Sequence, residues 1–150
     1  FPLPEALRKL TSNGYDENGN VVCGGYHIYP EKAAAGLWAS PSDLARFMIA
    51  LGKSYRGEDT SLLKQSSAET MMTRVPNAGG IGIGIDGEGK AFRVRHTGGN
   101  AGFTCYAISF ANTGRGVVIM TNSDNGFPLI HEIVRAVSRA YGWPPMFMGE

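Results

Sequence analysis

The sequence predicts an α+β fold in which an antiparallel sheet of about four strands is packed by helices. Three observations lead there. Four β-prone segments, 81–86, 91–97, 103–110 and 115–121, follow one another with only "GEG", "GGNA" and "NTG" turn sequences between them. Connections this short hold no crossover helix, so the segments pair antiparallel as a meander. An amphipathic helix is expected before them at 41–51, and another after them at 128–141.

Taken in chain order, residues 11–31 are dense in Asn, Gly and Asp and read as surface loop with at most a weak hairpin. In "ASPSDLARFMIALGK" Ser40 is placed to cap a helix, Pro41 suits its first position and Asp43 supplies the acid three residues on. Leu44, Phe47, Met48 and Leu51 recur at i, i+3, i+4 and i+7 and make one apolar stripe, with Gly52 as the expected stop. A shorter helix is expected at 66–73, capped by Ser66 with Glu69 three residues later. In the first strand Ile81, Ile83 and Ile85 alternate with Gly82 and Gly84, whereas the third and fourth are apolar on both faces. Apolarity on both faces requires cover on both sides of the sheet. The closing helix presents Ile130, Ile133, Val134, Val137 and Tyr141 along one side and stops at Gly142.

Composition sets the outer limits. The 150 residues suffice for a single domain, 1–150, with one core. A net charge of +1, from 14 basic and 13 acidic side chains, shows no polybasic patch, so nucleic acid is not expected as a partner. No apolar run reaches the roughly 20 residues of a membrane span. Cys105 reads as a small residue inside a strand, with a disulfide to Cys23 as the alternative. The three histidines, His27, His96 and His131, have no zinc-binding spacing, and the glycines of "GGIGIGIDGEG" lead into no helix, so neither a metal, a nucleotide nor another cofactor is expected. Asn122, Ser123 and Asp124, between strand and helix, suit turn and capping duties.

The segment "FRVRHTGGNAGF", 92–103, holds the candidate chemistry. With a period of two, Phe92, Val94 and His96 share one face and Arg93, Arg95 and Thr97 the other. Two readings are open. His96 is either a histidine satisfied at a sheet rim beside a glycine turn, or a donor at a strand end where glycines free backbone N–H groups for an oxyanion or carboxylate.

"AAAGLWASPSDLARFMIAL", followed by "HTGGNAGF" and "GVVIMTNSDNG", resembles the C-terminal portion of the serine beta-lactamase-like family, which includes class C beta-lactamases, D-alanyl-D-alanine carboxypeptidases and esterases. The resemblance runs from about Gly14 to Tyr141 and implies part of a beta-lactamase/transpeptidase-like fold, with the last helix packed across this same sheet and the Ser40-capped helix on the helical side. It implies that "HTG" is the family's third active-site motif, on an edge strand lining the site. His96 would then supply charge or a hydrogen bond, Thr97 a substrate contact and the Gly99 N–H half of an oxyanion hole. Gly98 would let substrate lie along the strand, with Asn100 beside it as a further substrate contact.

The family's nucleophile, the Ser of a Ser-x-x-Lys motif, lies far upstream of this strand, and a Tyr-x-Asn motif assists proton transfer. Tyr-x-Asn is absent here, and "SLLK" at 61–64 is a chance-prone match among ten serines and five lysines, only 35 residues before His96. The expectation is therefore a fragment or domain of a longer hydrolase that contributes the oxyanion wall without the nucleophile. Its substrate would be a small molecule or peptide, and a periplasmic or secreted setting is compatible with the family. The alternative is a non-catalytic binding domain of the same fold. Should covering elements lie elsewhere, an exposed edge or face favours self-association.

Overall fold

A computed structural model describes residues 3–76 and 79–146. Its elements are five helices, α1 (Glu5–Arg8), α2 (Lys32–Ala35), α3 (Pro41–Tyr55), α4 (Gln65–Met71) and α5 (Gly126–Ala140), and four strands, β1 (Gly84–Asp86), β2 (Arg93–Asn100), β3 (Phe103–Phe110) and β4 (Arg115–Thr121). The strands form one antiparallel sheet in the order β1-β2-β3-β4, the expected meander.

The sheet lies between two helical layers, as the doubly apolar third and fourth strands require. Val94 and Ala107 pack with Met48 and Leu51 of α3 on one face. Tyr106, Ile108 and Ile119 pack with Ile130 and Val134 of α5 on the other. Leu51, Ile108, Ile130 and Val134 are essentially buried, each worth about 1.5–3 kcal/mol against an exposed side chain.

The three expected helices depart from their expected ends, and the short α1 and α2 are additions that the sequence patterning did not indicate. Ser40 caps α3 as anticipated, its Oγ accepting the Asp43 N–H. Gly52, however, does not stop it. The helix continues to Tyr55, and Gly57, at φ 69°, takes the left-handed position after the cap. The Gly57 N–H reaches the Ser54 carbonyl and the Glu58 N–H that of Lys53, which satisfies two carbonyls of the last turn. α4 starts at Gln65, with Lys64 rather than Ser66 at the cap, and ends at Met71 instead of residue 73. α5 begins two residues earlier than Pro128, so the proline fills the third helical position, where its missing N–H still costs no helical bond.

The strands shift as well. β1 is shorter than 81–86 because Gly82 adopts φ 74° and breaks the extended run, leaving Ile81 56% exposed. β2 starts later than residue 91, which belongs to a 3-10 turn, Gly89–Ala91, and runs three residues past Thr97. The turn expected at "GGNA" lies instead at Ala101 and Gly102, the latter at φ 79°.

The loops before α3 hold that hairpin tip. Tyr15 donates its N–H to the carbonyls of Gly102 and Asn122, and its carbonyl accepts from the Asp124 N–H. Asp124 Oδ1 accepts the Gly102 N–H at 2.7 Å, and Asn122 and Asn125 bond through their side-chain amides to the carbonyls of Asn13 and Glu17. The polar run after β4 thus ties the N-terminal loop to the sheet in addition to forming a turn.

Candidate functional site

His96, Thr97, Gly98, Gly99 and Asn100 are consecutive residues of β2, each opposite a residue of β3. β1 pairs only with Arg93, Val94 and Arg95. From His96 onward the side of β2 away from β3 has no strand partner among the described residues. β2 is therefore an inner strand for three residues and an open edge for five.

The direction of the backbone groups along that edge follows from strand geometry. Successive N–H groups of a strand turn to alternate sides. The Gly98 N–H interacts with the Cys105 thiol on β3, so those of Thr97 and Gly99 turn outward. Both Thr97 and Gly99 are exposed, and no atom lies within 4 Å of where a Gly99 Cβ would be. The open edge presents donors that no strand among the described residues pairs, the kind of group that can hold a carbonyl oxygen acquiring negative charge.

The side chains divide between the two faces as the period-two reading anticipates. His96, Gly98 and Asn100 lie on the α3 face opposite Ala107, Cys105 and Phe103. Thr97 and Gly99 lie on the α5 face opposite Tyr106 and Thr104. His96 is exposed, and neither its ring nor the Thr97 hydroxyl has a hydrogen-bond partner among the described residues. Asn100 differs, because its Nδ2 donates to the Ala35 carbonyl at 3.0 Å. Tyr106 is buried, and burial pushes its phenol above the usual range, so it stays protonated opposite Thr97.

Gly98 is half-buried, and a Cβ there would stand 2.5 Å from the Cys105 sulfur. The thiol thus occupies the space that a side chain would need. Both cysteines are free, Cys23 exposed and Cys105 half-buried. Burial raises the Cys105 pKa, with the Gly98 N–H pulling it partly back.

Ser61 and Lys64 lie in a different setting from a helical Ser-x-x-Lys pair. Ser61 is exposed in a bend, its N–H held by Asp59 Oδ1, and Lys64 is the extended residue before α4 at ψ 145°. Sequence patterning passed over the loop residues that frame the far end of the edge. The Tyr29 hydroxyl accepts the Ala101 N–H at 2.8 Å, and the Trp38 ring meets Phe103 edge-on. The aromatic content of "GYHIYP" and of "GLW" was the available signal, but no periodicity assigned those rings a position. Among the described residues no three His, Cys, Asp or Glu side chains gather as a metal site, and no helix is long and apolar enough to cross a membrane.

Comparison with known proteins gives three likenesses and one family. A family model described as "Beta-lactamase" matches residues 1–139. No curated protein matches. The octameric penicillin-binding protein homologue from Pyrococcus abyssi is 25% identical with a TM-score of 0.69, covering 97% of this chain and 34% of its own. The structure of SurE is 21% identical with a TM-score of 0.68, at 91% and 35% coverage. The D-amino acid amidase from Ochrobactrum anthropi SV3, complexed with D-phenylalanine, is 20% identical with a TM-score of 0.60, at 89% and 45% coverage. The latter two are likenesses of fold. The chain spans between a third and a half of the length of these three proteins.

Proposed function

The chain belongs to the beta-lactamase family, and from that premise we propose that residues 1–150 are part of one hydrolase domain in a longer serine hydrolase. In this reading the chain supplies the wall carrying the His-Thr-Gly sequence, and the nucleophilic serine comes from elsewhere in the longer protein. The observation that carries the reading is the open edge at Thr97–Gly99, beside a His96 ring and a Thr97 hydroxyl that have no hydrogen-bond partner among the described residues.

The chemistry is acyl transfer from a beta-lactam, a D-Ala-D-Ala peptide or an ester. The serine oxygen adds to the substrate carbonyl, and its proton passes to the departing amine or alcohol as that bond breaks. Water then adds to the acyl-enzyme, releasing the acid and returning the proton to serine. In both steps the Gly99 N–H and the nucleophile's own N–H hold the carbonyl oxygen while it is negative. His96 adds a donor on the α3 face, Thr97 bonds a substrate carboxylate or hydroxyl, and Gly98 keeps the strand low enough for substrate to lie along it. Asn100, held by Ala35, borders the site at its far end. The proposal uses no metal or cofactor.

The second reading, a binding domain of the same fold without catalysis, is favoured by the non-helical placement of Ser61 and Lys64. For the isolated chain both readings expect no steady hydrolysis of an amide, a beta-lactam or a short ester. Turnover abolished by Ser61→Ala would place the nucleophile inside the chain and overturn the proposal. Self-association belongs to the same reading, since the outer edge of β4 has no strand partner among the described residues. One structural neighbour is an octamer by its own description.

A further inference from the structure

We propose that Leu37 and Trp38 form an apolar subsite at the Asn100 end of the open β2 edge, so that the site takes acyl groups bearing an aromatic or branched aliphatic side chain. This rests on the reading of β2 as a substrate-binding edge and adds the substrate class.

The segment between α2 and α3 is fastened to the hairpin tip. Asn100 Nδ2 donates to the Ala35 carbonyl, and the nearby Tyr29 hydroxyl accepts the Ala101 N–H. Trp38 meets Phe103 edge-on with ring centroids 6.2 Å apart, and Tyr26 at 4.8 Å, while the Arg8 guanidinium lies 5.6 Å from the Tyr26 ring centroid. Edge-to-face contacts at these distances hold the indole in place. Yet Trp38 remains 36% exposed and Leu37 78% exposed. Apolar surface is thus held out in solvent by a fastened segment, and residues 33–42 themselves contain no charged side chain.

The position of this surface follows from the register. Phe103 pairs with Asn100 and shares the face of Gly98 and His96, so the Trp38 ring in contact with Phe103 flanks that face. His96 is four residues, or about 13 Å, from Asn100, whereas Gly99 is adjacent to it. A substrate whose reacting carbonyl sits at the Gly99 N–H, with its acyl side chain directed toward Asn100, brings that side chain to the Trp38 end.

The test is a titration of the ¹⁵N-labelled chain with two probes, N-acetylphenylalaninamide and N-acetylglycinamide, followed by amide and indole shifts. The expected result is about fivefold tighter binding of the phenyl probe, the ratio for a partly buried ring. Its binding should shift the Trp38 indole N–H together with the Thr97–Gly99 amides. Trp38→Ala and Leu37→Ser should each bring the ratio toward one. Leu37→Ser leaves the Trp38 ring contacts in place, so its effect is read without disturbing the hairpin tip. Equal affinity of the unaltered chain for the two probes, with shifts at Thr97–Gly99, overturns the apolar subsite and leaves the substrate-edge reading standing. No shift at Thr97–Gly99 with either probe overturns both.

Discussion

A methyl group added at Gly98 would stand 2.5 Å from the Cys105 sulfur, so the glycine and the thiol are fitted to each other. Gly98→Ala is expected to cost about 1–3 kcal/mol in urea unfolding, the usual range for overpacking. Cys105→Ala removes the sulfur, so the double variant should recover much of that loss, and simple additivity of the two changes would refute the fit. The faces of His96 and Thr97 were legible in the sequence, because alternation along a strand survives an error in where the strand ends. The role of Cys105 was not. It depends on register, and a hairpin closed at Thr97 and Phe103 sets different partners from one closed at Asn100 and Phe103. Glycine pairs suggest turns by their conformational freedom, but here Gly98 and Gly99 are extended and the turn belongs to Gly102.

Among the elements, α3 was the most legible, since Ser40, Pro41 and Asp43 mark its start and the apolar stripe its face. Its end was not, because Gly52 and Gly57 are both credible stops and only the hydrogen bonds after Tyr55 choose between them. The fourth strand carries a different consequence. Among the described residues its seven have one strand neighbour, β3, and no Lys, Pro or other edge guard interrupts "GVVIMT". By the alternation that turns Gly98 toward β3, the N–H of Met120 turns outward. Light scattering of the isolated chain should therefore show mass rising with concentration. Met120→Pro, which removes one outward donor from each partner strand, should weaken the association about tenfold. A strict monomer over a wide concentration range would show that this edge is not used.

For the molecule as a whole, the order of the three longer helices and the four strands and the two-sided cover of the sheet were readable because they rest on apolar patterning, which tertiary packing obeys; the four-residue α1 and α2 carry no such pattern. The tether between the N-terminal loop, the hairpin tip and the polar run after β4 was not readable. It is made of Tyr15, Asp124 and Asn122 bonding to backbone groups far away in sequence, and such bonds leave no periodic trace. That tether fixes the tip of the β2–β3 hairpin, while the late start of β1, at Gly84, leaves His96–Asn100 without a strand partner on that side among the described residues. The central claim, that this uncovered edge is one wall of a serine acyl-transfer site, is tested most directly by labelling the longer protein with a serine-directed acylating probe and mapping the modified residue. The account predicts modification of a serine outside residues 1–150, at a rate that His96→Ala lowers about 10- to 100-fold. Modification of Ser61, or a labelling rate indifferent to His96→Ala, would contradict it.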